Sequence, residues 1–256
     1  MLKRAEEADR RAIECFCSGS LPGAYLECRL RCYGFGYDFV KFWFAEEKGE
    51  VTAVIGALED SAVLLASPDA DHSELAAFLR MVPFSSVMTA AKTAERCGFR
   101  GFKIKQSLVF RGAQAASPAV QPEDMKTVYD LISREIPGSF SRETNAYLSF
   151  LSDFTFRKNR GFARARALFE NETLCACALT AAETPSSAVL SGVAADPRFR
   201  GRGNGRRVVL SLANELKAEG KTVYVIALND GAAAFYRHIG FEDLQPLAMI
   251  ERTSYV

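Results

Sequence analysis

Residues 198–205 read Arg-Phe-Arg-Gly-Arg-Gly-Asn-Gly, with glycines at 201, 203 and 205. Glycines at alternate positions let a backbone turn sharply and point successive N–H groups into one concavity. A helix is expected to open directly after them, because Val208, Val209, Leu212 and Leu216 recur at helical spacing. Loop donors and the positive end of a helix dipole together make an anion site, and pyrophosphate is its natural occupant. Arg202 and Arg206 add charge where a phosphate would sit. No Gly-Lys-Ser/Thr follows, so this is not a Walker loop. The G-x-G-x-G spacing, preceded by an expected antiparallel meander, is also a poor dinucleotide fingerprint.

A second set of residues stands downstream. It reads Asn229-x-x-Ala232-x-x-Phe235-Tyr236-x-x-x-Gly240-Phe241, with an expected buried strand at 222–228 between it and the loop. The pair Arg198-x-x-Gly201-x-Gly203-x-Gly205 and Asn229 to Phe241 resembles the two motifs of the GNAT acetyltransferase superfamily. The match is close over 187–241 and weaker over 121–252. The resemblance implies that Val193, Ala194 and Ala195 end a strand that splays from its neighbour and pairs with the pantetheine arm of acetyl-CoA. It implies that the amides of Arg200, Gly201, Arg202, Gly203, Asn204, Gly205 and Arg206 hold the pyrophosphate, and that Asn229 reaches the pantetheine. Tyr236 takes the place of the family's tyrosine, which protonates the departing CoA thiolate. Acetyl-CoA is thus the implied cosubstrate, with no metal, and an amine of a small molecule or a protein is the implied acceptor. Many members carry a carboxylate on the strand before the loop. Here 187–195 reads SAVLSGVAA and has none, so Glu183, Asp153, Glu143 or solvent is left to take the amine's proton. That absence keeps open a binding module that holds acyl-CoA without turning it over.

The elements that must position these residues read as α/β, in two halves. A short amphipathic helix is expected at 3–17, strands at 39–46, 51–58 and 61–67, a helix at 73–82, a strand at 84–90, a helix to Cys97 and a strand at 101–111. Residues 112–122 (GAQAASPAVQP) read as a linker. Helices at 123–136 and 144–158, strands at 162–169, 174–182 and 187–195, the helix at 205–219, the strand at 222–228, a helix at 231–239 and a last strand complete the chain. Both halves place a proline after their third strand (Pro68, Pro197) and a Gly-Phe pair after their last helix (Gly98-Phe99, Gly240-Phe241). The interval is 30 positions in the first half and 43 in the second, and the deficit falls on the glycine loop. The chain therefore reads as two tandem GNAT-like domains, each a mostly antiparallel sheet flanked by helices. These are a degenerate copy without a CoA loop at 1–112, a linker at 113–122 and the acetyltransferase domain at 123–256.

With 32 basic and 31 acidic residues the formal net charge is +1, which gives no global attraction to nucleic acid or membrane. Seven cysteines, two histidines and no CxxC pair assemble no metal-ligand spacing. The cysteines read as reduced and mostly buried, the chain as cytoplasmic, monomeric or homodimeric, and without signal peptide or membrane span. Arg164 and Arg166 read as a solvated strand face, Arg157 as a solvated helix end, and Phe42, Trp43 and Phe44 as packing.

Overall fold

A computed structural model describes residues 1–82, 84–112, 118–136, 138 and 144–252. In the first half of the chain, β1 (Lys3–Arg4), α1 (Arg10–Cys17) and α2 (Leu21–Tyr33) precede the meander β2 (Val40–Glu47), β3 (Glu50–Leu58) and β4 (Ser61–Ala66). Then come α3 (His72–Met81), β5 (Ser86–Ala90), α4 (Ala91–Arg96), β6 (Lys103–Lys105) and β7 (Ser107–Phe110). The second half repeats the order with α5 (Met125–Glu135), α6 (Thr144–Asn159), β8 (Ala165–Glu170), β9 (Thr173–Glu183) and β10 (Ser187–Ala195). It continues with α7 (Asn204–Ala218), β11 (Thr222–Ile226), α8 (Asp230–His238), β12 (Phe241–Asp243) and β13 (Leu247–Glu251).

The helix α2 was not foreseen, because Leu21-Pro22-Gly23 has the composition of a turn. Pro22 is tolerated in a first turn, where its missing N–H has no intrahelical partner to lose. The Ser20 hydroxyl accepts from the Gly23 amide at 3.1 Å and caps the helix. A Cβ on Gly23 would lie 1.7 Å from the carbonyl oxygen of Cys17, so the bend from α1 into α2 admits only glycine. The expected helix at 3–17 is shorter and begins only at Arg10; residues 3–4 form the edge strand β1 against β2.

The chain forms two compact units, each built on one sheet. The first comprises Met1–Ser107, Ala227–Ala233 and the described residues from Asp243 on; its sheet has the order β1-β2-β3-β4-β5-β13-β6. The second comprises Leu108–Ile226 and Ala234–Glu242, with sheet order β12-β7-β11-β10-β9-β8. Both sheets are mixed. One parallel pair, β4–β5 or β10–β11, follows an antiparallel meander. The registers agree as well. Ser61, Ala62 and Val63 face Ser86, Val87 and Met88, while Ser187, Ala188 and Val189 face Thr222, Val223 and Tyr224. The same tetrapeptide, Ser-Ala-Val-Leu, starts both inner strands.

The compact units do not follow the linear halves. The strand expected at 101–111 breaks at Gln106. There the side chain donates to Asp230 at 2.7 Å and the carbonyl accepts from the Ala227 amide at 2.8 Å. Before the break the chain is β6 of the first sheet, and after it β7, which lies between β11 and β12 of the second. The last strand divides in the same way, so that β13 lies between β5 and β6, paired antiparallel with both. A linear boundary at 112 therefore misplaces residues 108–112 and 243–252. Hydrophobic pattern shows that a segment is a strand but not which sheet takes it. Within the expected linker, 113–117 lie outside the described residues, and Val120 exchanges both backbone hydrogen bonds with Ala167 of β8.

The core of the first unit gathers Ile55, Leu64, Leu75, Leu79, Val87 and Ile250. Phe42 and Phe44 are buried, and Trp43 meets Phe78 and Phe84 edge-on, so this trio packs as expected. Ile250, at the far end of the chain, is fully buried there. Ile250→Ala should destabilise by about 2–5 kcal/mol. By hydrogen exchange, amide protection in β5 and β6 should fall while that of β8 to β11 is kept; equal loss in both sheets would contradict the assignment of β13.

Candidate functional site

The site is built where β10 outruns its neighbour. The parallel pairs with β11 end at Leu190 and Val225, while Ala194 and Ala195 continue alongside Cys177 and Ala176 of β9. Between Ser191 and Ala194 the register slips, and Gly192 sits in the irregularity at φ +55°. A Cβ there would come within 2.5 Å of Leu179 and 2.9 Å of Ile132, so only glycine closes this bulge. Val193 to Ala195 thus present a strand edge that β11 has left.

Asp196 fixes the turn that follows. Its buried carboxylate accepts from the Arg198 amide at 2.9 Å, from the Arg198 guanidinium at 2.7 and 3.0 Å, and from Arg134 of α5 at 3.1 Å. The hydrogen bonds from Arg198 pull its pKa from 3.8 to about 2. Gly201 and Gly203 then adopt left-handed backbone, φ +77° and +73°, with open space where a Cβ would project. Gly203 is the N-cap of α7 and has no side chain to accept from the first turn. The helix therefore presents uncapped amides at the loop. Arg200 and Arg202 are exposed and are held by Glu135 of α5 (3.2 Å) and Glu170 of β8 (2.7 Å). Asn204 is buried, its amide nitrogen 3.4 Å from Glu170 and its oxygen accepting from Arg207. Gly205 approaches the Phe235 ring of α8, and Arg206 is exposed on the first turn of α7.

Tyr236 is buried on α8, its ring 5.3 Å from those of Phe235 and Phe241. Burial pushes its phenol pKa up, so the hydroxyl stays protonated. The structure brings the 193–206 stretch and Tyr236 into the second unit. Asn229 belongs to the first, and its side-chain oxygen caps α8 by accepting from the Ala232 amide at 2.9 Å. His238 is exposed at the C-terminal end of that helix.

The carboxylates considered as bases are otherwise engaged. Glu183 is buried at the hairpin end of β9, in register with Ala188, and is bound by Thr180 (2.8 Å), Arg164 and Lys221 (3.0 Å). Asp153 pairs with Arg157, and Glu143 lies outside the described residues. Arg164 and Arg166 are not a solvated strand face. Arg164 also binds Glu215 and Glu219 at 2.6–2.9 Å, and Arg166 binds Glu215, because α7 carries these two glutamates one turn apart over β8. Arg157 reaches the Ala181 carbonyl at 3.0 Å rather than standing free at a helix end. The Arg134–Asp196–Arg198 cluster escaped the sequence reading; an aspartate just before the proline of the loop was its one visible signal.

Among the described residues no group of three or more His, Cys, Asp or Glu is placed to hold a metal, and no helix is long and apolar enough to cross a membrane. Residues 125–241 match the model of the acetyltransferase (GNAT) family. The chain is 30% identical over 135 residues to the [ribosomal protein bS18]-alanine N-acetyltransferase of Escherichia coli, which covers 51% of this chain and 88% of that protein. The corresponding enzyme of Salmonella typhimurium matches equally, at 30% identity over the same shares. Among solved structures, a GNAT-family acetyltransferase from Colwellia psychrerythraea superposes with a TM-score of 0.62 at 12% identity, covering 98% of this chain and 99% of that one. A tandem GNAT protein from the clavulanic acid biosynthesis pathway superposes with a TM-score of 0.62 at 15% identity, covering 98% of each. The chain belongs to the GNAT acetyltransferase family. Enzymes of this family use acetyl-CoA as cosubstrate and act on amine acceptors.

The ionised Asp196 links the loop to pH. Its folded-state pKa lies below the ordinary value, so its contribution is complete above pH 3.8 and is lost as pH falls through about 2. The amide resonances of Gly201 and Gly203 should hold steady down to about pH 4 and shift between there and pH 2. In Asp196→Asn that acid transition should be missing. A transition unchanged in the variant would assign it to another carboxylate.

Proposed function

We propose that the second unit transfers an acetyl group from acetyl-CoA to an amine by direct attack, with Tyr236 as general acid. The observation that carries this reading is the departure of β10 from β11 next to a helix N-terminus whose amides no side chain caps. The residues fit the cosubstrate. Open space over Gly201 and Gly203 admits a pyrophosphate to the amides of Arg200 to Arg206. The freed edge at Val193 to Ala195 offers backbone groups to the pantetheine amides and an N–H to polarise the thioester carbonyl. Asn229 is left out, since its oxygen is committed to the cap of α8.

Acyl transfer to an amine requires a neutral nucleophile, a stabilised oxyanion and an acid for the sulfur. The amine nitrogen bonds the carbonyl carbon, the carbon–sulfur bond breaks, and the Tyr236 hydroxyl gives its proton to the thiolate. With Glu183 and Asp153 engaged in ion pairs, the amine's proton departs through water. The Escherichia coli relative is named for an alanine of ribosomal protein bS18. We therefore rank a protein or peptide amine ahead of small amines as acceptor. Seven free cysteines, six of them buried, suit a reducing cytoplasm.

Release of CoA thiol in the presence of alanine-bearing peptides and small amines tests the activity. Acetyl-CoA binding with no release for any amine would leave a binding module instead. Gly203→Val should keep the fold but lose CoA binding by calorimetry. A β-branched residue strains the left-handed backbone and fills the open approach to the loop. Retained affinity would show that the loop does not carry the pyrophosphate.

Tyr236→Phe should lower kcat about 10²-fold, the lower end for general acid catalysis, while CoA affinity stays near that of the parent. The defect should shrink as pH rises toward the thiol pKa of about 8.5, where CoA leaves unaided. An unchanged kcat would remove the general-acid role.

A further inference from the structure

The first unit has strands that part in the same way, and a cavity lies between them. β4 and β5 pair in parallel through Val63 and Met88 and no further. A cavity of about 310 Å³ is lined by Leu64, Leu65 and Ala66 on the β4 side and by Thr89 of β5, with Lys92 and Arg96 of α4 also on its wall. That volume is at the lower end of those that take small ligands.

Two features of the lining are unexplained by the fold. The Thr89 hydroxyl is fully buried, and among the described residues it has no hydrogen-bond partner. A buried hydroxyl left unpaired is destabilising, whereas valine would fill the same space without that cost. Lys92 and Arg96 have no carboxylate partner among the described residues, and Arg96 is steadied at the wall by donating to the Pro68 carbonyl at 3.3 Å. One cavity thus combines an apolar wall, an unmet hydroxyl and two cations.

We propose that this cavity is a ligand site for a small organic carboxylate. The apolar body lies on Leu64 to Ala66, a polar group meets the Thr89 hydroxyl, and the carboxylate lies at Lys92 and Arg96. A second acetyl-CoA is not the occupant. The amides that open α3, those of Ser73 and Glu74, are already taken by the Asp71 carboxylate at 3.0 and 2.9 Å, and Asp69 adds a further negative charge. This site is independent of the chemistry proposed for the second unit.

The test uses the full-length protein without coenzyme A. Thermal unfolding and calorimetry are run with succinate and with inorganic phosphate, against chloride at equal ionic strength. Succinate should raise the unfolding temperature in a saturable way. Thr89→Val should be at least as stable as the parent and bind succinate about tenfold more weakly, as expected for one lost hydrogen bond. The double substitution Lys92→Ala, Arg96→Ala should abolish the effect. A shift with phosphate and none with succinate would overturn the carboxylate assignment. No shift with either anion, a shift surviving both sets of substitutions, or a Thr89→Val protein less stable than the parent would overturn the site.

Discussion

Four residue pairs join β10 to β11, and then the pairing stops. Strand backbone that leaves its neighbour must find other partners for its N–H and C=O groups or face a ligand. Much of the second unit is arranged around that parting. Gly192 gives β10 the bulge that turns it away, and Leu179 and Ile132 fill the space that any side chain there would need. Asp196 ends the strand and is locked by arginines from both sides, so the glycine loop begins from a fixed point. The uncapped start of α7 then faces the direction in which the strand was released.

The charges that hold this arrangement are matched rather than isolated. Asp196 has Arg134 and Arg198, and Glu183 has Arg164 and Lys221. Removing one member of such a buried pair leaves an uncompensated charge, which costs far more than the pair contributes. The exposed pairs Arg200–Glu135 and Arg202–Glu170 are different in kind. They are worth little to stability, and their arginines can exchange a carboxylate for an incoming phosphate at small cost.

The first unit shows what the same strand geometry becomes without the loop. Its β4 and β5 part at the equivalent register, and the same Ser-Ala-Val-Leu precedes the gap. Yet α3 is capped by its own Asp71, where α7 has Gly203. One side chain thus separates a helix start that satisfies itself from one that awaits an anion.

The sequence by itself determined the second unit's functional core. Glycine spacing, the strand before it, the apolar face of α7 and the position of Tyr236 are local patterns, and local patterns are legible because backbone conformation and helical periodicity act over a few residues. The repeat of the two halves was legible for the same reason. Tertiary structure alone decided where β7 and β13 belong, since a hydrophobic strand carries no label for its sheet. It alone gathered Arg134 with Asp196 and Arg164 with Glu215, because ion pairs between distant residues leave no spacing to read. It also turned Asn229 into a helix cap and Pro22-Gly23 into the start of a helix, where a hydrogen bond and a 1.7 Å approach outweigh composition. The parting of β4 from β5, and the cavity around Thr89, exist only once three segments of chain have come together.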